Sequence, residues 1–411
     1  MKVLIISTFD FNGGAARAAY RLHCGLRKFG VDSNMLVRQK SDDNPNIFSP
    51  NKNIPSQTIA NLRYLLDKFP LRKYKNRENV IFSTATTGDK VIKMVQKIKP
   101  DIVHLHWFNR GFMHLKDFSS LGVPVVWSMH DMWPFTGGCH YDMFCKKYET
   151  ECGSCPILKS AKQHDTSYKI FKSKESAYSK KNDITFIGLS KWLQKSAKES
   201  TLLKSKNVLN LPNPIDTNIY KPVAKNIARE IWNFNLNKKT ILFGAMDATG
   251  DKRKGFEHLL SALKKLDLSG CQIKVVGSTR VNSALDLDCD ISYLGNINDD
   301  VSMALLYSAS DVVIVPSEQE NLSNVIMESL SCGTSVVAFD IGGNSDMIKH
   351  KENGYLAKPY DAGDLAQGIS FVLSQTSDNL SVNARNFVIT NFSENVVIPR
   401  YLELYNEIVK K

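Results

Sequence analysis

Eleven short β-rich segments alternate with helix-length amphipathic segments along this chain of 411 residues. Alternating strands and helices predict parallel sheets covered by helices on both faces. Because eleven strands are too many for one tidy open sheet of this length, the pattern predicts two doubly wound α/β domains. The strand candidates are residues 2–8, 33–39, 101–107, 124–131, 184–190, 207–213, 240–246, 272–278, 291–297, 311–317 and 335–341.

The strand–helix alternation breaks at "LPNPIDTNIYKPVAK" (211–225), where three prolines interrupt the pattern. A chain that leaves one sheet and enters another through a stiff segment has this composition. The last helical pattern, 399–411, has no strand after it.

The net charge of +12 is unevenly distributed. Residues 1–200 carry 32 Lys or Arg against 17 Asp or Glu, whereas residues 201–411 carry 21 against 24. A one-sided basic surface suits nucleic acid, an anionic membrane or an anionic substrate. No zinc finger, helix-turn-helix or RNA-binding aromatic motif accompanies it, so we expect no nucleic-acid partner.

The stretch "LRYLLDKFPLRKYKNR" (62–77) mixes apolar and basic residues. It suits either a solvated helix and loop or a surface that rests on anionic lipid headgroups. No stretch reaches the roughly 18 apolar residues of a membrane helix. The start, "MKVLIISTFD", is too short for a secretory signal and is typical of a buried strand. We therefore expect a cytoplasmic protein whose membrane contact is peripheral.

Two glycine-containing turns are candidate anion sites. Gly13 and Gly14 follow the first strand and open a helix, whose free N–H groups attract anions. The alternative is a plain strand-to-helix turn, and the absence of G-x-G-x-x-G disfavours nicotinamide-dependent chemistry. In "GDKRKGFEHLL", Arg253 and Lys254 precede Gly255 and a helix. They suit a diphosphate, although basic runs are often only solvated.

His130, in "WSMHDMWPF", falls at the carboxyl end of a predicted strand, where open α/β sheets bind ligands. Such a histidine can hydrogen-bond a sugar hydroxyl or a phosphate, or it can be a core histidine bonded to backbone.

Four cysteines, Cys139, Cys145, Cys152 and Cys155, lie within 17 residues. In a cytosolic chain this density favours metal ligation over disulfides, and four thiolates indicate a structural zinc site. Thiols without metal and a catalytic role are the alternatives.

Two glutamates lie eight positions apart in "PSEQENLSNVIMESLSCG" (316–333). Glu320 lies at a predicted strand tip, and Glu328 lies about a turn and a half inside the next predicted helix, whose cap is Asn321 or Ser323. The spacing suggests that they contact different parts of one extended ligand.

The E-x7-E pair, followed by "SLSCGTSVVAFDIGG", resembles the retaining glycosyltransferases of family 4 (group 1). The segments "GGAARAAYRL", "HDMW", "LPNPID" and "KRKG" occur in that family's order, and "HDMWPFTGGCHY" resembles a bacterial exopolysaccharide or O-antigen subgroup. The resemblance implies a GT-B fold, two Rossmann-like domains facing across a cleft. Residues 1–212, with a helix from about 385 to 411 packing back on them, would bind the acceptor. Residues 213–384 would bind the nucleotide sugar.

The resemblance also implies a role for each matching residue. Glu320 would bind donor-sugar hydroxyls, and Glu328 would bind the ribose. Lys254 would grip the diphosphate with backbone N–H groups near Leu322 and Ser323. The remaining roles are His130 facing the donor sugar, Gly13 and Gly14 bordering the phosphates, and the base lying near Gly277 and residues 294–297.

The chain departs from the family pattern in two places. The usual arginine after the first strand of the second domain is replaced by Ala245 and Met246, and Arg253 is our candidate to supply that charge. The glycine-aromatic-glycine sequence that usually follows the first glutamate is replaced by "NLS". This change alters the wall around the donor sugar, so the motif does not identify that sugar.

We expect a reaction that needs no metal cofactor, with a UDP- or GDP-sugar donor, a lipid-linked saccharide acceptor and an anionic membrane surface as partners. The rival functions are a glycoside hydrolase that uses the two glutamates as acid and base, and a non-catalytic nucleotide-sugar-binding protein.

Overall fold

The computed structural model describes residues 1–41, 43–244, 251–277, 287 and 289–410. The chain divides into two compact units. The first comprises Met1–Asn213 together with Ile398–Lys411, and the second comprises Pro214–Val397. None of the helices in the described ranges has the length and apolarity needed to cross a membrane.

The first unit is built on a seven-stranded parallel sheet with the strand order β3-β2-β1-β4-β5-β6-β7. Its strands are β1 (Lys2–Phe9), β2 (Asp32–Gln39), β3 (Ile47–Phe48), β4 (Ile102–Leu105), β5 (Val125–Met129), β6 (Ile184–Gly188) and β7 (Asn207–Asn210). Its helices are α1 (Gly14–Lys28), α2 (Ile54–Lys68), α3 (Val91–Ile98), α4 (Thr166–Ser179) and α5 (Lys191–Glu199).

The second unit is built on a six-stranded parallel sheet with the order β10-β9-β8-β11-β12-β13. Its strands are β8 (Lys239–Gly244), β9 (Cys271–Val276), β10 (Asp290–Tyr293), β11 (Val312–Val315), β12 (Val336–Phe339) and β13 (Gly354–Ala357). Its helices are α6 (Lys225–Ile231), α7 (Phe256–Leu263), α8 (Asp300–Ala309), α9 (Asn324–Ser331), α10 (Asn344–Met347), α11 (Ala362–Leu373) and α12 (Asn379–Phe392).

The two parallel sheets confirm the predicted fold class. All eleven predicted strands form. Most of them are rich in Val and Ile and are buried on both faces, as strands covered by helices require, whereas the edge strands β7 and β10 are partly exposed. Two further strands, β3 and β13, were not predicted. Each sheet has its own apolar core. The larger cluster of the first unit includes Trp127, and the cluster of the second unit includes Phe339.

The final helix, α13 (Glu394–Lys410), begins in the second unit, and its residues from Ile398 onward belong to the first. Two tyrosines attach it there. The fully buried Tyr405 hydroxyl lies 2.6 Å from His104 Nδ1 in β4, and the Tyr401 hydroxyl lies 3.5 Å from Ser128 Oγ in β5. This segment is therefore part of the first unit's core.

Candidate active site

Lys254 and Glu320 meet at one edge of the second sheet although they are 66 residues apart in sequence. Lys254 follows β8 and Glu320 follows β11, and these two strands are hydrogen-bonded neighbours. The strand order reverses between them, and open α/β sheets bind their ligands at the carboxyl ends of strands at this point. The topology therefore brings the predicted cation and the predicted carboxylate together.

Close backbone contacts hold the loop after β8 against the loop after β11. Gly255 has a φ of +72°, and a Cβ at this position would lie 1.8 Å from the Pro316 carbonyl oxygen. The Glu318 N–H donates to the Arg253 carbonyl at 2.8 Å. Only glycine satisfies both the left-handed backbone and this approach, so the glycine after the cationic run has a structural reason.

The Glu320 carboxylate is 8% exposed and is surrounded by cations. Its Oε2 lies 2.7 Å from Lys254 Nζ and 3.6 Å from Arg253 Nη1. Its Oε1 accepts a hydrogen bond from the Asn321 N–H at 3.3 Å. Lys254 and Glu320 thus form a nearly buried ion pair.

Burial opposes ionisation of Glu320, but the charges of Lys254 and Arg253 outweigh it and lower its pKa to about 2. The side chain is therefore an anion at neutral pH and a poor proton donor. Because its pKa in the folded protein lies below the ordinary 4.5, the pair stabilises the fold above about pH 4.5. That contribution is lost as the pH falls towards 2.

Arg253 is held mainly by its own loop and by the neighbouring one. Its Nη1 donates to the Gln319 carbonyl at 2.8 Å, and its Nη2 lies 3.2 Å from Asp251 Oδ2. Arg253 therefore lies beside Lys254 and Glu320, as a substitute cation must. Ala245 and Met246, which replace the family's usual arginine, lie outside the described residues.

Glu328 lies on the buried face of α9 and is 4% exposed. The Tyr307 hydroxyl of α8 donates to its Oε2 at 2.9 Å. Ser323 is the N-cap of α9, which agrees with one of the two predicted caps, and it and the preceding Leu322 are buried. Tyr307 was missed because no motif marks it.

Gly277 follows β9 with a φ of +86°, and its N–H donates to the Gly295 carbonyl at 2.7 Å. This bond brings the 294–297 loop next to Gly277. These are the two places where we expect the nucleotide base to lie.

In the first unit, Gly13 has a φ of +99° and caps α1, which Gly14 begins directly after β1 and its short loop. The first turn of α1 carries no acidic residue, so the helix start suits an anion. The positive φ explains the glycine at 13.

His130 follows β5, and its Nε2 lies 2.8 Å from Nδ1 of the buried His106. Burial lowers the pKa of His130 to about 4, against the pull of Asp131. His130 is therefore neutral at pH 7 and acts as a hydrogen-bonding group rather than as a cation. His106 and the neighbouring His104 are both buried.

The Asp131 carboxylate is occupied by hydrogen bonds around the loop that it begins. Its Oδ2 accepts from His140 Nδ1 at 2.6 Å and from Trp107 Nε1 at 3.1 Å, and its Oδ1 accepts from the Trp133 N–H. This carboxylate holds the residues after His130 in place.

The structure gives no support to the zinc prediction for Cys139, Cys145, Cys152 and Cys155. Across the described residues, which include all four, no three Cys, His, Asp or Glu side chains are grouped to hold a metal ion. Cys139 and Cys155 pack into an apolar cluster with Phe82, whereas Cys152 belongs to the larger core. Burial raises the pKa of Cys152 to about 12, so it is a protonated, free thiol.

Models of two families match the chain. "Glycosyltransferase Family 4" matches residues 12–218, and "Glycosyl transferases group 1" matches residues 224–387. The chain belongs to glycosyltransferase family 4. This confirms the predicted family, and the two matches fall on the two sheets.

Among curated relatives of this family 4 chain, an uncharacterized glycosyltransferase of Methanocaldococcus jannaschii is 28% identical over 203 residues, 47% of this chain and 49% of the relative. The N,N'-diacetylbacillosaminyl-diphospho-undecaprenol alpha-1,3-N-acetylgalactosaminyltransferase of Campylobacter jejuni is 28% identical over 184 residues, 43% of this chain and 47% of the relative. The matched part spans about half the length of these relatives.

The solved structure of Anabaena HepE in complex with UDP-glucose matches over 99% of this family 4 chain and 100% of that one, with a TM-score of 0.67 and 16% identity. This likeness supports the GT-B fold.

Proposed function

We propose that the protein is a retaining glycosyltransferase that moves a hexose from a nucleotide-diphosphate sugar to a lipid-linked saccharide in bacterial surface polysaccharide (O-antigen type) synthesis. Residues 213–384 would bind the donor, and residues 1–212 with the helix from about 385 would bind the acceptor. The observation that carries the proposal is the pairing of Lys254 with Glu320 at the strand reversal of the second sheet.

The Lys254–Glu320 pair suits a charged donor. An arriving diphosphate competes for the Lys254 ammonium, which frees the Glu320 carboxylate to accept hydrogen bonds from sugar hydroxyls. Arg253 adds a second cation on the same side. Backbone N–H groups near Leu322 and Ser323, the ribose contact of Glu328, the base contact of Gly277 and the phosphate border at Gly13 and Gly14 complete the proposed donor site.

In the reaction, the bond from the anomeric carbon to the phosphate oxygen breaks while the acceptor oxygen bonds to the same face of that carbon. The acceptor's proton passes to the leaving phosphate, so the protein need not provide a base. Lys254, Arg253 and the start of α9 stabilise the charge that develops on the diphosphate, and His130 orients the donor sugar.

The names of two similar proteins agree with these substrates. The Anabaena structure holds UDP-glucose, which supports a UDP- or GDP-sugar donor. The Campylobacter enzyme's name specifies a saccharide linked to diphospho-undecaprenol, which supports a lipid-linked acceptor.

The hydrolase rival fits poorly with Glu320. A hydrolase needs one carboxyl group with a raised pKa that can donate a proton. Here the cations lower the pKa of Glu320 to about 2.

Because protein cations rather than a metal ion would stabilise the leaving group, we expect donor hydrolysis and transfer to persist in excess EDTA. The experiment first measures UDP and GDP binding by calorimetry and then follows nucleotide release from a panel of UDP- and GDP-sugars. Binding without turnover would support a non-catalytic binding protein instead. Complete loss of activity in EDTA that Mg²⁺ or Mn²⁺ restores would contradict the metal-free chemistry.

We further propose that the protein works in the cytoplasm, peripherally bound at the inner face of the plasma membrane, through α2. This helix buries only Ala60 and Asp67. By the helical period of about 100° per residue, its large exposed apolar side chains share an arc of roughly 140°. They are 48–79% exposed and comprise Ile54, Ile59, Leu62, Leu65, Leu66 and, just beyond the helix end, Phe69.

The charges around α2 favour an anionic lipid surface over water or another protein. Residues 51–77 contain seven Lys or Arg and one acidic residue, the buried Asp67. An outward apolar face beside cations binds the boundary between headgroups and acyl chains of anionic bilayers.

We expect the double variant Leu62→Ser/Leu66→Ser to lose at least tenfold in affinity for phosphatidylglycerol vesicles, because two exposed side chains no longer enter the bilayer. Flotation with fluorescent vesicles measures this affinity, and phosphatidylcholine vesicles should bind weakly. The matched control, Ile227→Ser/Ile231→Ser, removes two comparably exposed isoleucines (49% and 60%) from α6.

Equal binding to both vesicle types, or an equal loss in the α6 control, would contradict membrane docking by α2. A stable dimer that the α2 serines dissociate would instead show that a second copy covers this face.

A further inference from the structure

Two arginines flank the end of β1 at the carboxyl edge of the first sheet. Arg38 is the penultimate residue of β2, and Arg110 lies in the loop after β4. Because β1 pairs with both strands, the two arginines come to the same edge. The strand order of this sheet reverses between β1 and β4, the position at which parallel sheets form their ligand crevice.

The two arginines share an aromatic neighbour with a third cation. The centroid of the Tyr64 ring in α2 lies 5.8 Å from Arg38 Cζ, 5.5 Å from Arg110 Cζ and 4.3 Å from Lys68 Nζ. The guanidinium of Arg110 also lies over two further rings, those of Phe9 and Trp107. Three positive charges thus gather around one ring.

The acidic side chains nearby have other partners. Asp89 is held by Arg63 at 2.6 Å and by Asn51, and Asp10 accepts two hydrogen bonds from Ser41. Across the described part of the chain, no ion pair involves the three cations around Tyr64. Asp89 attracts the Arg38 guanidinium without forming an ion pair with it, and the three cations together outnumber this one carboxylate, so the cluster carries excess positive charge.

One N–H group of the buried Arg38 side chain lacks a hydrogen-bond acceptor within the described ranges. This side chain is 7% exposed, and its Nη1 donates to the Ala60 carbonyl at 3.2 Å. Its Nε has no hydrogen-bond partner among the described residues. A buried guanidinium N–H without an acceptor is unfavourable, and an oxyanion between the two arginines would relieve both the missing hydrogen bond and the like-charge repulsion.

We propose that Arg38 and Arg110 form a binding subsite for a phosphate group of the acceptor. This rests on the proposed function and deepens it by naming the chemical group that the first unit holds. Guanidinium groups bind phosphate oxygens bidentately, and the surrounding rings of Phe9, Tyr64 and Trp107 reduce competition from water. A diphosphate matches the cluster's charge better than a single carboxylate does.

The position of α2 agrees with a lipid-linked phosphate. Tyr64 and Lys68 face the cation cluster, whereas Leu62 and Leu65 of the same helix face outward. A helix that rests on a bilayer through its outward face would place the arginines near headgroup depth, where a lipid carries its phosphate.

The test uses the full chain with UDP at saturating concentration, so that the proposed donor site is occupied. Inorganic pyrophosphate is then titrated and followed by calorimetry and by Trp fluorescence, since Arg110 lies over Trp107. We expect saturable binding by the unmodified protein and an increase of at least tenfold in Kd for Arg110→Ala, with Arg110→Lys in between. The matched control, Arg72→Ala, removes an exposed arginine that also lies over a ring, that of Phe69, and should bind like the unmodified protein.

UDP binding and donor hydrolysis by the unmodified protein test the proposed function separately, so a failure of this subsite and a failure of the proposed function are distinguishable. The proposal is overturned if pyrophosphate does not bind alongside UDP, if Arg110→Ala leaves its Kd unchanged, or if Arg72→Ala weakens it equally. Tighter binding of glucuronate than of pyrophosphate would show that the subsite prefers a carboxylate to a phosphate, and it would also overturn the proposal. Circular dichroism and the Tm confirm that each variant is folded.

Discussion

Glu320→Ala should lower the kcat for transfer by about 10²–10³-fold, because in the proposed donor site it removes a charged hydrogen-bond acceptor for the reacting sugar. It should leave UDP affinity equal or slightly higher, because Lys254 no longer has a competing carboxylate. Glu328→Gln should do the reverse. It should raise the Kd for UDP by about ten- to a hundredfold, because it removes the charge that we propose contacts the ribose, and it should change kcat little at saturating donor.

The measurements are calorimetric UDP titration and steady-state kinetics with the donor found in the nucleotide-sugar screen. Glutamine keeps an oxygen that can accept the Tyr307 hydrogen bond, so Glu328→Gln avoids the cavity that alanine would leave. Tyr307→Phe is the matched control, since it removes that hydrogen bond and keeps the Glu328 carboxylate. If the Glu320 and Glu328 variants showed the same defect, the division between sugar and ribose would be untenable.

Lys254→Ala should raise the Kd for UDP by about a hundredfold, because the proposed charge-assisted contact to the diphosphate would be lost from a nearly buried site. Arg253→Ala should weaken UDP binding at least tenfold if Arg253 supplies the family's second cation. Neither variant should change the affinity for uridine, which has no phosphate. UDP binding is measured at two salt concentrations, and the salt dependence should decrease in both variants.

The matched control for these variants is Lys252→Ala, which removes an exposed cation from the same turn. Because Lys254→Ala leaves the buried Glu320 carboxylate with Arg253 as its nearby cation, its Tm is measured as well, and Lys254→Gln serves as a second variant. Normal UDP binding by Arg253→Ala together with failure of Lys254→Ala would contradict the idea that Arg253 replaces the missing arginine.

Local patterns were enough to predict the strands and the main site. Each predicted strand could be recognised from its own segment, and all eleven form. The strands β3 and β13 were missed because β3 has only two residues and β13 does not lie in a long apolar segment. Lys254 and Glu320 were each marked by a motif. Their contact at 2.7 Å depends on β8 and β11 being neighbours, which is a property of the sheet order.

The cysteine spacing alone did not decide where the four thiols lie, for a related reason. Four thiols within 17 residues suit a metal only when the backbone turns their sulfur atoms towards one point. Here Cys139 and Cys155 turn into one apolar cluster and Cys152 into another. Spacing counts residues along the chain and does not record which core each side chain enters.

The sequence by itself determined the fold class and the family, because alternating strands and helices and the E-x7-E segment are local in the chain. Only the tertiary structure decided which charges meet. It paired Lys254 with Glu320, turned the apolar face of α2 outward, and gathered Arg38, Arg110 and Lys68 around Tyr64. The physical reason is that charge interactions depend on distance in space, and the order of strands in a sheet sets those distances.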